Sequence, residues 1–310
     1  MGRLRRAAPG GVRVSVGTDQ PRTDGLRAAA PGRAAIVTVS YNSDDVLPAF
    51  LTSTAAASTR VVDVVVADND SATADRLRET TEAAGARFVP VGANLGYGAA
   101  VNRAVATLDP DVRWVLVSNP DVVLAPGALD RMLETATTDP RIGAVGPRLL
   151  EPDGEVYPSA RLVPSLRTGL GHAVFANVWP GNPWTKRYRQ EGDHTVRRDA
   201  GWLSGACVLV RRDVLDRLGG FDEAYFMYFE DVDLGWRIGR LGLRNVYEPE
   251  AVATHVGGTA TRGSSDRMRR AHHESAYRFL AGKYAAWWLW PLRAALRVAL
   301  AVRARATRTR

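Results

Sequence analysis

The sequence predicts an α/β protein built on a mostly parallel, Rossmann-like sheet with helices on both faces, and three observations carry that prediction. Apolar, β-branched runs of strand length alternate with helix-length segments from residue 34 to about residue 120, the pattern of consecutive βαβ units. The early strand-like runs end in polar side chains, at the sheet edge where open α/β folds receive ligands. A chain of 310 residues with 45% hydrophobic content can bury a full core, and one large domain with tails fits that length.

The first strand is read over residues 34–40, ending in Tyr41-Asn42. Ser43-Asp44-Asp45 then offers helix-capping oxygens before a helix over 46–56. A second strand over 61–67 ends in Asp68-Asn69-Asp70-Ser71. Next come a helix over 72–84, a strand over 87–91, a glycine-containing loop over 92–98, a helix over 99–108 and a strand over 114–118. That last strand delivers Asn119-Pro120-Asp121 at its carboxyl end. Further along, Ala206-Cys207-Val208-Leu209-Val210 reads as a core strand, Glu230-Asp231-Val232-Asp233 precedes a helix over 234–241, and His255 closes a strand-like segment over 246–254. No internal repeat is visible.

Charge is segregated. The net +8 divides into +5 on residues 1–33 and +10 on residues 262–310, leaving residues 34–261 at −7. An acidic body with basic ends argues against nucleic-acid binding, which needs basic residues along the folded surface, and favours contact of a tail with an anionic membrane. The single Cys207 excludes an intrachain disulfide and a multi-cysteine zinc site, as a reducing cytoplasm leads one to expect. Arg5-Arg6 is followed by Ala7-Ala8-Pro9-Gly10-Gly11 with no apolar stretch, so no export signal is read and residues 1–33 are expected to be disordered. Near the other end the apolar run 285–292 is broken by Arg293 and Arg297, short of the roughly 20 residues a membrane span needs.

The strand-end acids define a chemistry. Asp68 is placed to accept the imide N–H of uracil or thymine; guanine would also satisfy it, adenine would not. Asn94-Leu95-Gly96-Tyr97-Gly98 opens a helix, where backbone N–H groups can meet a diphosphate, although as a dinucleotide fingerprint it lacks the third glycine. Asp121 suits a divalent cation, Mg²⁺ or Mn²⁺, bridging phosphate oxygens, with neutral His255 as a further ligand. Asp231 is the candidate general base for an attacking hydroxyl, Glu230 holds the metal or the base in place, and Asp233 caps the following helix.

Taken together these residues resemble the inverting glycosyltransferases of family 2, whose fold is GT-A. Val39-Ser40-Tyr41-Asn42, Asp68-Asn69-x-Ser71, Asn94-x-Gly96-Tyr97-Gly98 with Asn102, Asn119-Pro120-Asp121, and Glu230-Asp231-x-Asp233-Leu234 with Arg237 stand in the family's order across residues 34–255. The resemblance implies nucleotide contacts from Val39, Tyr41, Asn42, Asp68, Asn94, Gly96, Asn119 and Asp121. It implies a metal on Asp121 and His255, base catalysis by Asp231 beside Glu230, and Trp202 and Arg237 near the acceptor or the donor sugar.

Further segments resemble a subfamily of actinobacterial cell-wall rhamnosyltransferases: Val156-Tyr157-Pro158-Ser159-Ala160-Arg161, residues 179–185 and 188–191, Gly201-Trp202-Leu203-Ser204-Gly205, Gly220-Phe221-Asp222-Glu223 and Ala271-His272-His273. That likeness implies dTDP-β-L-rhamnose as donor and N-acetylglucosaminyl-diphospho-polyprenol as acceptor; another nucleotide sugar on another envelope acceptor is the alternative. Two departures stand out. Asn119 replaces the first aspartate of many relatives' metal motif, which weakens the expected hold on the cation, and the Gln-x-x-Arg-Trp motif of processive relatives is absent, so a single transfer is expected. A sugar-1-phosphate nucleotidyltransferase is disfavoured because Tyr41-Asn42-Ser43-Asp44 stands where its glycine-rich turn would be. Trp287, Trp288 and Trp290 beside Arg293, Arg297, Arg303 and Arg305 suit either a membrane surface at the cytoplasmic face or a terminal amphipathic helix packed on the body.

Overall fold

A computed structural model of the chain describes residues 32–165, 194–257 and 265–306. Residues 1–31 and the 179–185 and 188–191 segments lie outside the described residues. The first half builds the parallel part of the sheet: β1 (Arg33–Ser40), β2 (Asp63–Asp68), β3 (Arg87–Pro90) and β4 (Val112–Ser118), joined by α1 (Leu47–Ala57), α2 (Ala74–Ala83) and α3 (Tyr97–Val105). These strands lie in the order β3-β2-β1-β4, all parallel, as alternating βαβ segments require.

Beyond β4 follow β5 (Val122–Leu124), α4 (Ala128–Thr137), β6 (Ile142–Leu150), β7 (Val156–Tyr157), β8 (Ala160–Arg161), β9 (Arg198–Ala200), β10 (Trp202–Leu203), β11 (Cys207–Arg211), α5 (Arg212–Leu218), α6 (Glu230–Arg240) and β12 (Arg244–His255). The sheet continues from β4 through β11, β6 and β12 to β5. β11 runs antiparallel to both β4 and β6, β12 is parallel to β6, and β5 is antiparallel to β12. The sheet is therefore mixed, and its second half departs from a simple parallel series. A separate two-stranded antiparallel sheet pairs β8 with β10, strands distant in sequence.

The period-two alternation of the strands sorts the core onto two faces. Ile36, Val66, Trp114 and Leu116 pack with Phe50, Leu77 and Met132 from α1, α2 and α4. Ala35, Val37, Val65, Val115 and Val117 pack on the other face with Val101 of α3, Leu215 of α5 and Ile238 of α6. Cys207 is buried in β11, as its apolar neighbours predict.

Past β12, α7 (Ser265–Lys283) joins the body. Its Phe279 is buried against Tyr225, Val232 and Trp236, and the Ser275 hydroxyl donates to Met227 O at 2.8 Å. A 3₁₀ turn (Trp287–Leu289) and α8 (Trp290–Ala306) follow. Trp287, Trp288 and Trp290 are 77%, 63% and 62% exposed, so this terminal segment does not spend its aromatics on the core. No helix among the described residues is long and apolar enough to cross a membrane.

Two local expectations are corrected. Ser43-Asp44-Asp45 does not cap α1: Val46 is the N-cap residue without a side-chain bond, Ser43 accepts the Val46 and Leu47 N–H groups through its carbonyl, and Asp44 instead accepts from the Thr73 hydroxyl at 2.5 Å. The glycines before α3 serve chain packing. Gly96, at φ 91°, would drive a Cβ to 2.3 Å from Phe226 O, and Gly98 would press one to 2.9 Å from Phe221. Gly96→Ala combines a left-handed backbone with a main-chain collision, so it should cost ~2–4 kcal/mol of unfolding free energy. Urea denaturation of the variant checks this; a midpoint equal to the parent's would show that the loop yields freely.

Candidate active site

The carboxyl ends of β1 and β2 make a polar rim. Asp68 ends β2 almost fully buried: its Oδ2 accepts from the Ser71 N–H at 3.2 Å, and its Oδ1 has no hydrogen-bond partner. An unsatisfied buried carboxylate oxygen costs free energy comparable to a lost charged hydrogen bond, so it is an acceptor in need of a donor. Asn42, at φ 52°, clamps this rim to β1, its N–H donating to Ser71 Oγ at 2.8 Å and its Oδ1 accepting from the Ala72 N–H at 2.9 Å. Tyr41 is left exposed beside it, while Val39 is buried in the strand.

The loop before α3 differs from expectation. The Leu95 N–H donates to Asn69 Oδ1, the Gly96 N–H to Asn94 Oδ1, and the Tyr97 N–H to Phe226 O; Asn69 Nδ2 donates to Asn94 Oδ1 at 3.0 Å. Three of these amides thus have protein partners because Asn69 and the Phe221–Phe226 stretch approach the loop closely, whereas the Gly98 and Ala99 N–H groups in the first turn of α3 have no such partner among the described residues.

At the end of β4, Asn119-Pro120-Asp121 turns directly into β5, and β5 lies antiparallel on the end of β12 with His255 opposite Val122. The Val256 N–H closes the turn on Asp121 O at 2.9 Å. This register brings a histidine distant in sequence to the acid: His255 Nε2 lies 3.2 Å from Asp121 Oδ1 and 3.5 Å from Asn119 Nδ2. The Asp121 carboxylate holds the imidazole pKa up, against burial that lowers it. Asp121 Oδ1 is buried and receives no well-directed hydrogen bond. Oxygen and nitrogen converging on one point, with a carboxylate oxygen unsatisfied, fit a divalent cation. No group of three or more His, Cys, Asp or Glu with metal-ligand geometry occurs among the described residues. A cation of the magnesium type commonly takes one or two protein ligands and completes its shell from substrate phosphates and water, so two residues suffice.

A second acidic pair starts α6. Its N-cap residue Phe229 and the preceding Tyr228 both stand at φ 67°, and no side chain caps the helix. Asp231 Oδ2 accepts from the Gly205 N–H at 2.9 Å and Oδ1 from the Val232 N–H at 2.8 Å. Burial raises the Asp231 pKa, opposed by those two donors and by the charge of Arg161. Glu230 is buried with Oε2 unpartnered; burial first and Asp231 second push it up to about 8. Burial thus raises both adjacent carboxyls, and the Gly205 and Val232 N–H donors offset part of that on Asp231. Tyr97 stands between the two acidic groups, its hydroxyl donating to Gly205 O at 2.8 Å and held well above the usual phenol pKa by burial and then by Glu230, Asp231, Cys207 and Asp121.

Asp233 is not the helix cap. It sits one turn inside α6, buried, and accepts from Arg237 Nε at 2.5 Å. Arg237 Nη1 donates to Leu218 O and Gly220 O, so these contacts tie α6 to the end of α5 rather than to the cleft. Trp202 donates through Nε1 to Leu162 O at 3.1 Å and stands against Gly235 of α6. Tyr97, Gly205 and Arg161 are neighbours of the base that reasoning from sequence did not single out. Their only signal was membership of motifs whose individual roles spacing does not reveal.

A parallel sheet half with a buried acid at the end of β2, a metal-type pair at the end of β4 and a buried carboxylate pair beyond it fits the GT-A type of glycosyltransferase. The chain belongs to the glycosyltransferase-like family 2, which it matches over residues 31–273. A Mycobacterium tuberculosis protein named N-acetylglucosaminyl-diphospho-decaprenol L-rhamnosyltransferase is 47% identical over 277 residues, covering 86% of this chain and 90% of that protein. Among solved structures, the mannosyltransferase PcManGT from Pyrobaculum calidifontis, in complex with GDP-Man and Mn²⁺, superposes with a TM-score of 0.56 at 16% identity over 94% of this chain and 82% of its own. GalNAc-T7 with UDP, GalNAc and Mn²⁺ gives 0.55 at 12% identity, over 73% of this chain and 44% of its own. At those identities the two structures establish the fold.

The buried acid pair carries a stability cost with a definite sign. A carboxyl whose pKa is raised in the folded state favours folding below its unfolded value, about 4.5 for Glu230, and that contribution is lost as pH rises through about 8. Glu230→Gln should therefore raise unfolding free energy by ~2–4 kcal/mol at pH 8, the gain shrinking toward zero near pH 4. Paired urea titrations across that range check it; a pH-independent difference would remove the titration from the account.

Proposed function

We propose that this enzyme transfers L-rhamnose from dTDP-β-L-rhamnose to N-acetylglucosaminyl-diphospho-polyprenol with inversion. The observation that carries the choice of substrates is the 47% identity to the mycobacterial rhamnosyltransferase, spread over nearly the whole of both chains. The site supports the chemistry. Asp68 accepts the thymine imide N–H through its free Oδ1, with Tyr41 and Asn42 at the mouth of the base site. Asp121 and His255, with Asn119 beside them, would hold a divalent cation, which when bound would supply positive charge toward the departing nucleoside diphosphate.

Asp231 takes the proton from the acceptor hydroxyl as it attacks the donor's anomeric carbon from the face opposite the leaving group, which inverts the configuration. The Gly205 and Val232 N–H groups stabilise its ionised form and aim it, with the Glu230 carboxyl buried beside it. Trp202 borders the acceptor side, and Arg237 steadies α6 so that the base stays in place. We read residues 34–261 as the catalytic unit, and the docking of Phe279 supports adding α7 to it. The exposed tryptophans with Arg293 and Arg297 form a surface for the anionic inner face of the plasma membrane, where a prenyl-linked acceptor resides.

Purified protein offered a panel of nucleotide sugars and a short-prenyl diphospho-N-acetylglucosamine should transfer only from dTDP-rhamnose. Asp231→Asn should lower kcat by ~10²–10⁴ or more while calorimetry finds dTDP affinity nearly unchanged. Transfer from another donor in preference to dTDP-rhamnose would overturn the substrate assignment, and wild-type turnover in the variant would remove Asp231 as base.

Removing residues 285–310 should weaken binding to phosphatidylglycerol vesicles and slow transfer to a long-prenyl acceptor while sparing a soluble short-chain one. Salt should mimic part of the loss, since screening acts over about 8 to 10 Å. Equal loss on both acceptors would make the segment structural.

A further inference from the structure

Arg161 carries a charge that no carboxylate among the described residues pairs, in a cleft otherwise rich in acids. It lies on β8, opposite Trp202 of β10. Its Nε donates to Pro158 O at 2.7 Å, and its guanidinium carbon is 5.7 Å from the Tyr157 ring centroid and 5.6 Å from that of Trp202. The carbonyl holds one edge of the guanidinium between two nearby rings, while neither Nη has a hydrogen-bond acceptor among the described residues. A planar fork of donors held this way is built for the paired oxygens of a phosphate.

Its neighbours place it. Tyr157 meets His255 edge-on at 5.9 Å, so one flank of Arg161 borders the metal-type pair. On the other flank the chain leaving β10 leads from Leu203 to Gly205, whose N–H holds Asp231. The cation is close enough to act on Asp231 directly, yet forms no ion pair with it. Left there without an anion, a positive charge would only weaken a base. A ligand phosphate that neutralises it restores the carboxylate's proton affinity, so occupancy of Arg161 and readiness of the base are linked.

Two diphosphates meet in this reaction. The donor's lies between the ends of β2 and β4, served by the Asp68 and Asp121 side. Arg161 stands off the main sheet, on the two-stranded β8–β10 sheet that borders Asp231. We propose that Arg161 binds the diphosphate of the acceptor and so fixes the distance from that anchor to the hydroxyl presented to Asp231. This deepens the functional reading above and rests on it for the identity of the acceptor, but the anion it requires is a sugar diphosphate ester whatever the donor.

Calorimetry in saturating dTDP tests it, with a short-prenyl diphospho-N-acetylglucosamine as one probe and an alkyl N-acetylglucosaminide lacking phosphate as the other. Arg161→Ala should weaken the first about 10- to 100-fold and leave the second and dTDP itself unchanged, with Arg161→Lys in between, its point charge replacing a fork. Unchanged affinity for the diphosphate probe overturns the assignment. So does an equal loss on both probes, which marks a structural role, or a loss of dTDP affinity, which assigns the residue to the donor. If the parent protein fails to use dTDP-rhamnose yet Arg161→Ala still loses the diphosphate probe selectively, the donor assignment falls and the site stands.

Discussion

The antiparallel insertion of β11 between β4 and β6 is the constraint on which the site depends. Cys207 pairs with Ser118, and the Asn119 N–H reaches back to Ala206 O at 2.9 Å, so the metal-type turn is hydrogen-bonded to the start of β11. One residue earlier, Gly205 offers its N–H to Asp231 and its carbonyl to the Tyr97 hydroxyl. Three consecutive residues thereby join the end of β4, the start of α3 and the start of α6. Backbone hydrogen bonds of a sheet interior are among the least compliant parts of a fold, so the spacing between the metal-type pair and the base is set by main chain.

Around that frame the protein accepts unfavourable local terms. Tyr228 and Phe229 occupy left-handed backbone in succession, at roughly 1–2 kcal/mol each for non-glycine residues. Glu230 is buried without a partner for Oε2, and Asp68 and Asp121 each keep a buried oxygen unsatisfied. These costs fall where a base, a nucleobase and a cation are expected to bind. Aromatic packing outside the sheet offsets them: Phe229 lies against Phe279 and His272 of α7, and Trp236 meets Phe279 edge-on, holding the strained turn from behind.

The parallel half was legible in the sequence because local pattern and tertiary role coincide there. Apolar runs became β1, β2, β3 and β4 within a few residues, and the strand-end acids fell on the rim. The second half was harder, since β11 is as apolar as a parallel strand and its direction is decided by partners distant in sequence. Asp233 illustrates the same limit at the site: its position before an apolar run reads as a cap, yet the helix begins a turn earlier and the carboxylate is used by Arg237 four residues on. Glycines 96 and 98 signalled a close approach correctly, but spacing could not say that Phe221 and Phe226, not a ligand, make it. The proximity of His255 to Asp121 follows only from the β5–β12 register.

On the proposed reading, specificity is divided between two kinds of structure. The rim that would receive the donor is rigid parallel sheet, the part of the fold that persists at the low identities found for PcManGT and GalNAc-T7. The side that would receive the acceptor is bordered by the β8–β10 pair, the start of α6 and α7, elements outside that sheet held to one another largely by side-chain bonds and aromatic packing. Tyr157, Arg161 and Trp202 lie on this second side, between His255 and Asp231. A change of acceptor would then act on Asp231 through those three side chains without disturbing the sheet, while the spacing between the Asp121–His255 pair and Asp231 stays fixed by β11.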